Sequence, residues 1–85
     1  AIEQLTRVLA GEIGESGVTV NAVGPTPVDT DLIKNVPANK IDELKSRQCI
    51  KRLGTFEDVK NVIDFYLRPE SNFITGQTIY LGGVF

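Results

Sequence analysis

Gly17-Val-Thr-Val-Asn-Ala-Val-Gly-Pro-Thr-Pro-Val-Asp-Thr-Asp31 is the stretch that decides the fold. Its β-branched apolar run is typical of a buried strand, and it stops at two prolines followed by residues that cap helices. The sequence therefore predicts a strand over 18–23, buried on both faces, then a stiff loop and a short helix through Leu32 and Ile33 that ends before Pro37. In open parallel sheets, ligands bind just beyond the carboxyl ends of strands, so this segment is the first candidate for a site.

Amphipathic patterns predict further helices on either side of this segment. Apolar residues recur at spacings of three and four over residues 1–15, which predicts a helix. Gly14 and Gly17 are candidates for the residues that end it. Residues 39–48 carry a shorter pattern of the same kind, and residues 55–67 carry the clearest one.

The last third of the chain completes an α/β pattern. Thr55 and Asp58 form a predicted capping box, Pro69 ends the helix, and Thr78–Leu81 predicts a second strand closed by Gly82. A strand, helices and a strand in this order form a crossover connection, which makes the two strands parallel neighbours. Two strands are too few for a stable sheet, so we expect the remaining strands upstream in a longer protein.

Composition excludes several classes of function. The 85 residues are 41% apolar and 24% charged with a net charge of −2, and no nucleic-acid, membrane or signal-peptide pattern is present, which predicts a cytoplasmic protein. The single cysteine, Cys49, excludes an internal disulfide, and the lack of histidine leaves no metal cluster of His and Cys. We expect Cys49 to be a half-buried small hydrophobic residue, and we assign no catalytic residue and no metal ligand.

Four motifs in order resemble the C-terminal third of a short-chain dehydrogenase/reductase. They cover essentially the whole chain, and each is weak alone. They are Gly17–Val23, Pro25–Thr30, Arg52–Val59 and Ile74–Gln77 with Gly82-Gly83.

The resemblance implies a C-terminal part, residues 1–85, of one Rossmann-type doubly wound parallel sheet that binds NAD or NADP. Its expected reaction is hydride transfer between the nicotinamide and a carbonyl or alcohol substrate, within a homo-oligomer that is a dimer or tetramer. The resemblance implies that Pro25, Thr26, Val28 and Thr30 bind the cofactor. The Val28 backbone would lie against the carboxamide, with the Thr30 hydroxyl nearby. The Pro-Thr pair is similar to L-xylulose reductase. Without the resemblance, a helix cap that binds no ligand explains Thr30 equally well.

The family's catalytic tyrosine, which precedes a lysine by four residues, is expected outside this chain. Neither Tyr66 nor Tyr80 has a lysine four positions later. The resemblance therefore implies that the chain alone is inactive. The alternative is a noncatalytic relative that acts as a binding or oligomerisation module.

A locally basic segment lies between Lys34 and Arg52. It holds six basic and two acidic residues in an otherwise acidic chain. The simplest interpretation is a solvent-exposed, mobile face. The family's 3-oxoacyl carrier-protein reductases instead imply a lid over the substrate, which would favour an acyl thioester on an acidic acyl carrier protein.

Overall fold

The computed structural model describes residues 1–24 and 34–83, which form an α/β arrangement. The helices and strands are α1 (Ile2–Ile13), β1 (Ala22–Gly24), α2 (Ala38–Ser46), α3 (Phe56–Leu67) and β2 (Thr78–Tyr80). The two strands are parallel neighbours, in the register Ala22 with Thr78, Val23 with Ile79 and Gly24 with Tyr80. The α/β class and the parallel pairing predicted from the sequence are confirmed.

Helix α1 forms where the amphipathic pattern predicted it, but its apolar residues stay exposed, with Leu5 at 54% and Leu9 at 38%. Its buried face carries Thr6 and Ala10, and the Thr6 hydroxyl donates to the Ile2 carbonyl one turn earlier at 2.7 Å. Gly17 ends the following turn at φ 79°, where its N–H donates to the Gly14 carbonyl. Only glycine adopts this left-handed conformation without strain, so the predicted stop is confirmed.

The first strand is shorter than predicted. The sequence predicted a strand over 18–23 buried on both faces, but the parallel ladder includes only Ala22–Gly24, and Val18 is 49% exposed. A strand needs backbone partners along its length, and the residues before Ala22 bond differently. The Val20 N–H donates to the Thr75 hydroxyl at 3.0 Å, and the Val20 carbonyl accepts from Gly76 at 2.7 Å.

Asn21 completes this connection with its side-chain amide. Its Nδ2 donates to the Ile74 carbonyl at 3.1 Å, and its Oδ1 accepts from the Gln77 N–H at the same distance. The segments that precede the two strands are therefore joined by side chains as well as by backbone. This connection brings β1 and β2 into register although the residues that join lie more than fifty positions apart.

Helix α3 begins at the predicted capping box. The Thr55 hydroxyl accepts from the Asp58 N–H at 3.2 Å, and the Asp58 carboxylate accepts from the Thr55 N–H at 2.8 Å. These two bonds satisfy N–H groups that a helix start otherwise leaves unpaired. One turn further along, Val62 is buried, and the helix ends before Pro69 as predicted.

Candidate functional site

The candidate site begins where β1 ends. Because β1 and β2 are parallel, their carboxyl ends meet at one edge of the sheet, and Gly24 lies at that edge next to Tyr80. The predicted cofactor residues Pro25, Thr26, Val28 and Thr30 follow directly, but they lie outside the described residues. Their contacts with a cofactor stay a prediction, whereas the strand that leads into their loop is described in full.

Tyr80 closes the space above the last residue of β1. A Cβ atom added to Gly24 would lie 2.1 Å from Cδ1 of the Tyr80 ring, far inside van der Waals contact. Glycine is therefore required at this position by the close approach of the ring. On the other side of Tyr80, a hydrogen bond with the Glu3 carboxylate raises the pKa of the Tyr80 hydroxyl, an effect that Arg7 partly offsets.

Tyr66 joins α3 to the same strand. Its hydroxyl donates to the Ala22 carbonyl at 2.8 Å, across 44 positions in the sequence. Burial raises the pKa of Tyr66, and the nearby Ile79 backbone lowers it in part. A tyrosine hydroxyl is protonated at neutral pH in any case, so it is available as a donor. The sequence pattern indicated Tyr66 only as part of an apolar helix face, and this contact was not predicted.

The basic segment contains more internal pairing than its composition suggests. Lys45 lies 3.7 Å from Asp42, Arg47 donates to Glu43 at 3.0 Å, and Arg52 pairs with Asp58 beyond the segment. Lys51 donates to the Ser46 and Gln48 carbonyls near the end of α2, where the helix dipole favours a cation. Much of the positive charge is therefore matched by local acceptors.

The end of this segment is attached to the close of β2. The Cys49 and Ile50 N–H groups donate to the Gly83 and Gly82 carbonyls at 2.8 and 2.9 Å. Gln48, only 2% exposed, donates from Nε2 to the Ile50 carbonyl at 2.9 Å and to the Arg52 carbonyl at 3.1 Å. The prediction of a half-buried Cys49 was wrong, because the residue is exposed. Its thiol lies beside Gly83, where an added Cβ would come within 2.9 Å of Sγ.

The described residues offer no metal site and no membrane span. Among residues 1–24 and 34–83, the side chains of His, Cys, Asp and Glu form no cluster of three or more that could hold a metal ion. Within the same residues, every helix is too short or too polar to cross a bilayer.

Comparisons with known proteins identify the family. Residues 1–84 match the family model described as enoyl-(acyl carrier protein) reductase. The short-chain reductase protein NovJ of Streptomyces niveus is 36% identical over 90 residues, covering 98% of this chain and 34% of that protein. The cyclic-di-GMP-binding biofilm dispersal mediator protein of Escherichia coli is 38% identical over 87 residues, covering 100% and 35%.

A solved structure has the same fold. The crystal structure of 3-oxoacyl-[acyl-carrier protein] reductase from Brucella melitensis superposes with a TM-score of 0.85 at 32% identity, covering 98% of this chain and 31% of that one. The chain thus spans about a third of the length of the relatives that it matches. It belongs to the short-chain dehydrogenase/reductase family.

Proposed function

We propose that the chain forms part of an oxidoreductase that transfers a hydride between NAD or NADP and a carbonyl or alcohol carbon. The observation that carries this proposal is the position of Gly24. It ends a parallel strand at the ligand-binding edge of the sheet and leads directly into the loop with two prolines. Membership in a family of reductases supports the same conclusion.

The residues of the chain suit the nicotinamide end of such a cofactor. Pro25 and Pro27 fix φ and donate no N–H, which stiffens the loop. In the proposed complex, the Val28 backbone binds the carboxamide, and the Thr30 hydroxyl contacts the cofactor nearby, with Thr26 between the prolines. The cofactor supplies hydride chemistry, and these residues orient its ring.

We also propose that residues 1–85 are the C-terminal part of a single Rossmann domain, whose catalytic tyrosine and lysine lie elsewhere. The two strands described are too few to bury both sheet faces. The apolar side chains of α1 are open to solvent: Ile2 is 66% exposed and Leu5 54%. A cleft of about 570 Å³ separates the first turn of α1 from the sheet, and further elements would fill it.

A nucleotide titration of the full protein tests this proposal. We expect fluorescence to report binding of NADH or NADPH, and Thr30→Val to weaken it about three- to tenfold, as loss of one hydrogen bond predicts. Thr30→Ser keeps the hydroxyl and should bind normally, as should Thr19→Val, a matched change at an exposed position. If neither NADH nor NADPH binds the full protein, the proposal is wrong.

An acyl thioester on a carrier protein is the substrate that we propose first. The Brucella melitensis relative is named for such a substrate, and the 34–52 segment carries an excess of basic residues. Lys40 lies exposed on α2, whereas many of its basic neighbours are paired internally. Lys40→Gln should therefore raise KM for a carrier-bound substrate more than for a small ketone. Lys60→Gln on α3 is the matched control, and it should leave KM unchanged for both the carrier-bound substrate and the small ketone.

A noncatalytic binding or oligomerisation module is the second candidate. The Escherichia coli relative is named for binding cyclic-di-GMP, which supports a binding role as the second candidate. The open apolar face of α1 fits a homo-oligomer, a dimer or tetramer in the cytoplasm. Turnover of NADH or NADPH with a carbonyl substrate would exclude this candidate, and nucleotide binding without turnover would support it.

A further inference from the structure

The chain after α2 is attached to the carboxyl edge of the sheet. Strand β2 ends at Tyr80, and Gly82 and Gly83 follow it at that edge. Their carbonyls accept from the Ile50 and Cys49 N–H groups at 2.9 and 2.8 Å. Both glycines have positive φ, 76° and 72°, a left-handed conformation that other residues adopt only with strain. Two backbone bonds therefore join residues 49 and 50 to an unusual turn at the end of β2.

This attachment also depends on the lack of side chains at the two glycines. A Cβ added to Gly82 would lie 2.7 Å from Nε2 of Gln48. The Gln48 side chain is not free to move aside, because it is buried and its amide donates to two carbonyls. A Cβ added to Gly83 would lie 2.9 Å from Cβ of Cys49, an atom that moves only with its backbone. The glycines therefore make room for the segment that they bind.

Helix α2 itself is not packed in this way. None of its nine residues, Ala38–Ser46, is buried, and Leu44 is 44% exposed. Two positions after the helix, Gln48 is only 2% exposed. A short helix gains most of its stability from packing, so a helix without a buried residue opens at a low free energy. The structure thus contains a boundary in local stability between Ser46 and Gln48.

We propose that Gly82 and Gly83 are a fixed attachment for residues 48–50, from which α2 opens and closes as a separate unit. Because the attachment stays at the ligand edge of the sheet, α2 returns to the same position each time it closes. The effect on substrate rests on the proposed function, in which the 34–52 segment covers the substrate. The attachment residues do not contact the reacting atoms, so they are positioning residues.

Hydrogen exchange of the full wild-type protein tests the boundary first. We expect amides within α2 to have protection factors at least about tenfold lower than those of Cys49 and Ile50, which are bonded to the end of β2. Equal protection on both sides of Arg47 would overturn the proposal, because α2 and residues 48–50 would then open together.

Gly82→Ala in the full protein tests the attachment. The added methyl group should displace Gln48, so protection at Cys49 and Ile50 should fall about tenfold, as loss of one or two hydrogen bonds predicts. Gly17→Ala is the matched control, since Gly17 has a similar φ of 79° but nothing among the described residues lies within 4 Å of its added Cβ. It should leave that protection unchanged. An equal fall in the two variants would show backbone strain alone and overturn the proposal.

If Gly82→Ala does not fold, Gln48→Ala carries the test. It removes the buried amide that orders the segment and adds no strain at the glycine. Protection at Cys49 and Ile50 should fall about threefold or more, while α2 exchanges as in the wild type. Unchanged protection at these two amides would overturn the proposal.

Kinetics with acetoacetyl-CoA, a soluble 3-oxoacyl thioester, separate this inference from the proposed function. In the folded variant, KM should rise about three- to tenfold, with kcat within about twofold and the Kd for NADH or NADPH unchanged. Lower protection with an unchanged KM would overturn the positioning role and leave the proposed function in place. If the wild type binds neither nucleotide, the proposed function fails, and hydrogen exchange still decides whether α2 opens separately from residues 48–50.

Discussion

The guanidinium of Arg52 donates two hydrogen bonds to the carboxylate of Asp58, from Nη1 at 2.8 Å and from Nη2 at 3.2 Å. The same carboxylate accepts from the Thr55 N–H, so it joins the loop after α2 to the first turn of α3. A planar guanidinium matches a carboxylate in this geometry, and lysine would not reproduce it. The pair therefore connects the basic segment to the helix that carries Tyr66.

Asp58→Asn should make the stability of the full protein less dependent on pH. The hydrogen bonds from Arg52, followed by the Thr55 N–H, lower the pKa of Asp58 well below its ordinary range. A lowered folded-state pKa contributes stability above the unfolded value of about 3.9, and this contribution is lost as pH falls below it. Urea unfolding should therefore show a larger difference between wild type and variant at about pH 6 than at about pH 3.

Asp64→Asn is the control for that experiment. Asp64 pairs with Lys60 at 2.7 Å on the exposed surface of α3, where such pairs contribute little to stability. Its difference from the wild type should be small at both pH values. A difference for Asp58→Asn that does not change with pH would contradict the prediction.

Gly24→Ala should destabilise the full protein by about 1–3 kcal/mol, because the new methyl group would overlap the Tyr80 ring. Adding Tyr80→Ala removes the overlap, so thermal or urea unfolding should show a double mutant less destabilised than the sum of the single changes. Gly11→Ala is the matched control: among the described residues nothing lies within 4 Å of its added Cβ, and alanine favours a helix interior. Additive effects at Gly24 and Tyr80 would show that the ring does not restrict the glycine.

Gln48→Leu should cost about 1–3 kcal/mol of unfolding free energy, because it removes the buried Gln48 amide that donates to the Ile50 and Arg52 carbonyls. If the 34–52 segment covers the substrate, KM for the substrate should rise as well, since Gln48 orders the end of that segment. Gln77→Leu is the control, because the Gln77 amide donates to Thr75 in an exposed position. If Gln48→Leu and Gln77→Leu lower the unfolding free energy equally, burial of the Gln48 amide does not explain its contribution.

Local patterns in the sequence predicted most of the helices correctly. The Thr55 capping box, the stop at Gly17 and the end of α3 before Pro69 all depend on atoms a few residues apart, so the sequence contains the information that they need. The α/β class followed from the same kind of evidence, since a strand, helices and a strand in order favour a parallel pair.

The length of β1 could not be predicted in this way. Val18–Val23 has the composition of a buried strand, but a ladder depends on what lies beside it, and Val20 and Asn21 meet side chains and loop backbone instead. The exposure of Cys49 has the same origin, because it depends on where the segment after α2 meets Gly83 at the close of β2.

For the candidate site, the sequence by itself determined the chemical groups in order: a strand, two prolines and the hydroxyl of Thr30. Only the tertiary structure decided what holds the strand that leads into them. Tyr66 and Ala22 are 44 positions apart, and Tyr80 lies over Gly24 from a different strand. Such contacts arise when packing brings distant segments together, and no local spacing encodes them.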